Sequence, residues 1–151
     1  VESGSAYHTL AQDEHAADLN FGTGEADRGE NVYASYKGVV TKTPEDGNLF
    51  GIVEIEHTAE IETNGQKQTI KWYTRYMHLS SVQVHIGDSV DETTHIGDVG
   101  DTRDTSLPGL ESMHPHLHYA VYDKILSEGV ETIRAIDPAT WLSFHEIRTR
   151  E

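Results

Sequence analysis

Cysteine is absent from the 151 residues. Disulfide staples and thiolate zinc sites are therefore excluded, and any transition metal must be held by His, Asp or Glu. The absence suits an exported protein that avoids stray disulfides, although many cytosolic chains share it. Basic residues are scarce: 11 Lys and Arg stand against 26 Asp and Glu, a formal charge of −15. Such a field repels phosphate backbones, so nucleic acid is not an expected partner; its ordinary uses are solubility and tolerance of salt. No apolar run approaches the length of a membrane-spanning helix, and no signal peptide is present. The chain opens on Val1. It therefore reads as a mature or trimmed chain, for which a missing signal says little about export.

Strand patterns fill most of the remainder. The length suits one domain with a core, expected to span residues 1–151. The segment NVYASYKGVVTK (31–42) reads as two short strands joined near Lys37-Gly38. In LFGIVEIEHT (49–58), Val53, Ile55 and His57 face one way and Glu54 and Glu56 the other. Asn64-Gly65 is a strong hairpin dipeptide. The strand QTIKWYTRYMHL (68–79) follows, rich in β-branched and aromatic residues. Helix is expected only at the C-terminus, where Asp137-Pro138 can cap a short helix through ATWLSF. The expected fold is mostly β: antiparallel sheets forming a two-sheet sandwich or groove, with a short C-terminal helix.

The ten histidines are not scattered evenly. HPHLHYAV (114–121) carries three of them, and strand alternation puts His116, His118, Ala120 and Tyr122 on one face. Two imidazoles on one face, roughly 6–7 Å apart along the backbone, can share a metal or divide into a ligand and a catalytic partner. An ordinary polar face gives the same pattern. Three further segments add donors: YMHLS (76–80) with His78, YHTLAQDEHAADLNFG (7–22) with His8, His15 and Asp18, and the Gly-punctuated IGDVGDT (96–102). A zinc hydrolase needs three protein ligands and an open position for water, with free histidines to move protons.

In this order the segments resemble the lysostaphin-type zinc endopeptidases, or LytM-domain peptidases, which cut peptide cross-links in bacterial peptidoglycan. The resemblance runs through Asp18, NVYASYKGVV, Tyr76-Met77-His78-Leu79, Gly87-Asp88-Ser89-Val90, Ile96-Gly97-Asp98-Val99-Gly100 and His116-Leu117-His118, and ends at Ile136-Asp137-Pro138 with Trp141-Leu142. It covers roughly residues 7–142. It implies a zinc metalloendopeptidase with Asp18 and His118 as metal ligands and His116 and His78 as the catalytic pair. For the remaining ligand, many members place a His four positions before the Asp, where this chain has Glu14. Others place it about nine residues before an Ala-x-Asp segment, which His8-Thr9 and Ala16-Ala17-Asp18 approximate. His8 is therefore the expected third ligand, with His15 and then Glu14 as alternatives.

The resemblance further implies a peptidoglycan peptide as partner, an exported location and a monomer. It leaves the bond open among glycine bridges, D-alanyl–diaminopimelate links and other peptides. Tyr76 fits core packing or, less readily, an oxyanion donor. His57, His85, His95 and His145 lie outside the matched motifs and are expected to be structural or solvated, and His114 to be a loop residue ahead of Pro115. Two other readings use the same residues. Relatives that have lost metal ligands act as non-catalytic modules that bind the wall or activate another hydrolase. A cupin-like metal barrel also carries His-x-His on a strand, but it wants a carboxylate that only Asp123 could supply.

Overall fold

The computed structural model describes residues 16–19, 26–103, 105–106 and 114–137. His8, His15, Glu14, the expected C-terminal helix and His145 lie outside the described residues. Among the described residues ten strands follow one another: β1 (Ala17–Leu19), β2 (Asn31–Tyr33), β3 (Gly38–Lys42), β4 (Val53–Thr63), β5 (Gln66–Met77), β6 (Leu79–Val82), β7 (Ser89–Val90), β8 (His95–Val99), β9 (Leu117–Ser127) and β10 (Val130–Ile136). A single 3-10 turn at Pro44–Asp46 interrupts the strands among the described residues.

Every pairing is antiparallel. The larger sheet has the order β1-β9-β5-β4-β3-β7, with β10 beside the far end of β9. The smaller sheet is β2-β8-β6. Alternation along β4 falls as its sequence dictates: Val53, Ile55 and His57 are fully buried. Val53 and Ile55 join Val40, Trp72, Tyr76, Tyr119 and Val121 of the larger sheet and Val32, Ile96 and Val99 of the smaller one in one core. The mostly-β, two-sheet expectation holds.

His57 is a core histidine. Its Nδ1–H donates to the Lys37 carbonyl at 2.9 Å, and its Nε2 lies 2.7 Å from the Thr74 hydroxyl. In the neutral tautomer Nε2 accepts from Thr74, so the buried ring has a partner at each nitrogen. Tyr76 is 2% exposed and its hydroxyl is bonded to Thr74 and Ser35, which places it in this polar seam rather than at a reacting centre. His85 pairs with Glu45 and His95 with Asp98, both away from the histidine strand.

One hairpin has no counterpart in the strand pattern read from sequence. Glu128 and Gly129 both have positive φ, 51° and 77°, the geometry of a two-residue primed turn, and they fold β10 back onto β9. Asn64-Gly65 does the same between β4 and β5, with φ of 53° and 77°.

Candidate active site

The opposite face of the larger sheet carries the histidines. Asp18 on β1 is the register partner of His118 on β9, and Met77 on β5 is its partner on the other side. A short N-terminal strand thus brings a carboxylate to an imidazole 100 residues further along the chain. The Asp18 Oδ1 lies 3.0 Å from His118 Nδ1 and 3.6 Å from His116 Nε2. The His78 ring centroid is 4.9 Å from that of His116 and 5.9 Å from that of His118. Four side chains that are far apart in sequence meet at one point. His118 and His78 are buried, at 3% and 7% exposure.

The two imidazoles of His-Leu-His turn different atoms inward. His116 precedes β9, and its Nδ1–H donates to the His114 carbonyl at 2.8 Å. Its Nε2 is then the atom facing Asp18. His118 instead presents Nδ1 to the carboxylate. His114 therefore serves the site through its backbone; its side chain is exposed.

His78 breaks the chain between β5 and β6, with φ at +70°, a rare conformation for a residue with a side chain. Three backbone bonds hold it there: His78 N–H to Phe50 O at 2.8 Å, Leu79 N–H to Gly51 O at 3.3 Å, and Thr102 N–H to His78 O at 3.4 Å. The His78 Nδ1–H donates to the Thr102 carbonyl at 2.9 Å, which leaves Nε2 as its available atom. Thr102 is itself framed by Asp101, whose carboxylate is bridged by Arg28 at 2.9 Å and Arg103 at 3.5 Å. Neither the left-handed turn nor the Thr102 carbonyl was evident from the Tyr-x-His-Leu segment. The sequence reads as one strand over 68–79, with no sign of the break that the structure places at His78.

Burial, reinforced by the neighbouring His116 and His118, holds His78 down at a pKa of about 4, against the ordinary 6.5. The ring is accordingly neutral near pH 7. In the metal-free protein, an unfolded chain binds this proton between about pH 4 and 6.5 and the folded one does not. Stability is therefore present above pH 6.5 and falls as pH drops through that window, by ~3 kcal/mol in all at 1.36 kcal/mol per unit. Ring-proton NMR is expected to place the His78 midpoint well below 6.5; a midpoint near 6.5 would contradict the burial argument.

The donor chemistry fits a zinc ion. A carboxylate oxygen and an imidazole nitrogen are the hard and borderline ligands zinc accepts. Ligands about 2.0–2.1 Å from a tetrahedral zinc lie roughly 3.3 Å apart, close to the separation of Asp18 Oδ1 and His118 Nδ1. Among the described residues no group of three His, Asp or Glu completes such a set. The expected third ligand, His8, lies outside them.

A carboxylate and an imidazole poised for a metal, with two further histidines alongside, are the makings of a metal-dependent hydrolase. The sequence profile of Peptidase family M23 matches residues 22–130, and the chain belongs to that family. No curated protein sequence matches it. Among solved structures, the catalytic domain of the antimicrobial peptidase lysostaphin from Staphylococcus simulans is 26% identical with a TM-score of 0.50, over 77% of this chain and 72% of that one. Lysostaphin as a longer chain is likewise 26% identical, with a TM-score of 0.51, over 78% of this chain but only 39% of that one. A mutant catalytic domain of the prophage-encoded M23 protein EnpA from Enterococcus faecalis shares the fold at 23% identity and a TM-score of 0.51, over 82% of this chain and 80% of that one.

Proposed function

We propose that the chain is a zinc-dependent endopeptidase that hydrolyses peptide cross-links or stem peptides of bacterial peptidoglycan, acting outside the cytoplasm. The observation that carries this reading is the convergence of Asp18, His78, His116 and His118 on one point of the larger sheet. Asp18 and His118 would hold the metal, with His8 as the third ligand. Bound zinc lowers the pKa of its water toward neutrality and polarises a carbonyl.

The work of the other two histidines follows from their tautomers. His116 and His78 each commit Nδ1–H to a backbone carbonyl, of His114 and Thr102 respectively. Each neutral ring therefore keeps a lone pair on Nε2. That atom can take a proton from an attacking water and later return it to a leaving amine. The carbonyls fix the ring planes, so the basic atoms are in place before substrate arrives.

Chelation tests the reading. Dialysis against a strong zinc chelator is expected to abolish release of peptides from purified peptidoglycan, and one equivalent of zinc to restore it. Full activity in the chelated protein would sink the proposal.

A further inference from the structure

The two histidines given proton-transfer work above lean on a piece of chain that no sheet holds. β8 ends at Val99, and residues 100–103 have irregular backbone. Yet this segment touches both histidines. The Gly100 carbonyl accepts from His116 N–H at 3.2 Å, and Thr102 N–H donates to the His78 carbonyl at 3.4 Å. The Thr102 carbonyl accepts from His78 Nδ1–H at 2.9 Å. A Cβ on Gly100 would lie 2.5 Å from Ser80 Cβ and 3.0 Å from the His78 carbonyl oxygen, so the segment runs against the His78 turn. The bond made by one imidazole nitrogen decides which of the two keeps the proton. A loop carbonyl therefore sets the tautomer of His78 only as long as the loop is kept from rotating.

Asp101 stops that rotation. Its carboxylate takes two parallel bonds from Arg28, Nη1 to Oδ1 at 3.3 Å and Nη2 to Oδ2 at 2.9 Å. Its backbone carbonyl accepts from Arg103 Nη1 at 2.9 Å. The peptide joining residues 101 and 102 is thus pinned at its carbonyl by Arg103 and at its N–H by the His78 carbonyl. Arg28 stands on a turn that is itself fastened to β8: Gly29 N–H donates to the Val99 carbonyl, and Val99 N–H to the Glu30 carbonyl, each at 2.9 Å. The hydrogen bonds from Arg28 also hold the Asp101 carboxyl below the usual carboxylate range, so it stays charged near pH 7. With side chains 43% and 29% exposed, the pair adds little to overall stability. A two-bond fork fixes direction as well as distance, and here the direction is passed to a histidine.

We propose that Arg28 and Asp101 are positioning residues: their ion pair fixes the Thr102 carbonyl and, through it, keeps His78 in the tautomer whose Nε2 can accept a proton. This rests on the endopeptidase reading above.

The test compares the zinc-loaded wild type with Asp101→Ala, Arg28→Gln, Arg28→Lys and the double variant Arg28→Gln/Asp101→Ala. Nitrogen-15 NMR of the imidazoles reads the tautomers. Wild-type His78 should have Nδ1 protonated and Nε2 bare, and a population with the proton on Nε2 should appear in Asp101→Ala and Arg28→Gln. His116, whose Nδ1–H goes to the His114 carbonyl, should keep its tautomer and is the internal control. The saturating rate of peptide release from purified peptidoglycan should fall roughly 10- to 100-fold, the cost of a misplaced reacting group, with half-saturation little changed. The double variant should be no slower than Asp101→Ala, because both substitutions act through one contact. Arg28→Lys keeps the charge without the fork and should recover part of the rate. A merely structural pair would lower the melting temperature alone. A His78 tautomer or a saturating rate unchanged from wild type therefore overturns the proposal. So does a wild-type His78 with its proton on Nε2, a result that needs no variant to fold. If Asp101→Ala fails to fold, the exposed Arg28→Gln carries the comparison. If the wild type releases no peptide, the endopeptidase reading fails instead, and NMR alone decides the clamp: a His78 proton that moves in the variants supports it, and one that stays overturns it.

Discussion

His116→Ala should retain its zinc and lose roughly 10²- to 10⁴-fold in kcat/KM, the range set by removing one general acid–base group. His118→Ala should lose the metal and all measurable activity. The two residues are two positions apart in a motif where they look interchangeable, and the nitrogen each turns inward separates them. His116 has its Nδ1 tied to the His114 carbonyl, and its Nε2 sits 3.6 Å from Asp18. His118 turns Nδ1 to the same carboxylate at 3.0 Å and is almost wholly buried. Zinc content by atomic emission and peptide release from purified peptidoglycan would be measured on both variants. Equal zinc loss in the two, or a fully active His116→Ala, would show that the roles are assigned wrongly.

A second large effect is expected at a glycine packed against the His78 turn. Gly51 has φ at +61°, and a Cβ built there would lie 2.4 Å from the Leu79 carbonyl oxygen and 2.9 Å from the Leu79 nitrogen. Both contacts are with backbone, which cannot swing aside. Left-handed strain and overpacking together make Gly51→Ala destabilising by about 3 kcal/mol. Activity should fall as well, because the Gly51 carbonyl accepts from Leu79 N–H and the Phe50 carbonyl from His78 N–H. Forcing the strands apart at that point releases the turn that aims His78. Gly47→Ala is the control. Its φ is +88°, yet nothing lies within 4 Å of an added Cβ, so it should show strain without the clash and leave activity intact. Urea denaturation and peptide release for both variants would check this; identical behaviour of the two would contradict it.

Much of this architecture is written locally. Alternation in VEIEH sends Val53, Ile55 and His57 into the core, and Asn64-Gly65 announces its own turn. His-Leu-His puts two imidazoles on one side of the chain, because strand geometry leaves no other choice. The Glu54 side chain faces away from the core as alternation requires, but it is buried nonetheless, at 7% exposure, because Tyr122, Thr41 and Lys124 close over it. No local pattern reports such a closure, since its partners come from two other strands, β3 and β9. The same limit applies to the site. That Asp18 pairs with His118 is a matter of register between β1 and β9. That Thr102 and His114 orient the His78 and His116 rings depends on carbonyls, which every residue type possesses. Side-chain identity marks the candidate groups, whereas the groups that hold them are backbone and become visible only in three dimensions.

The most direct measurement is mass spectrometry of the fragments released when the zinc-loaded protein digests purified peptidoglycan. The endopeptidase account predicts new free amino and carboxyl termini within the peptide cross-links or stems, with glycan strands intact, and no such fragments from His118→Ala. Fragments cleaved only between sugars, or no fragments from the zinc-loaded wild-type protein, would contradict it.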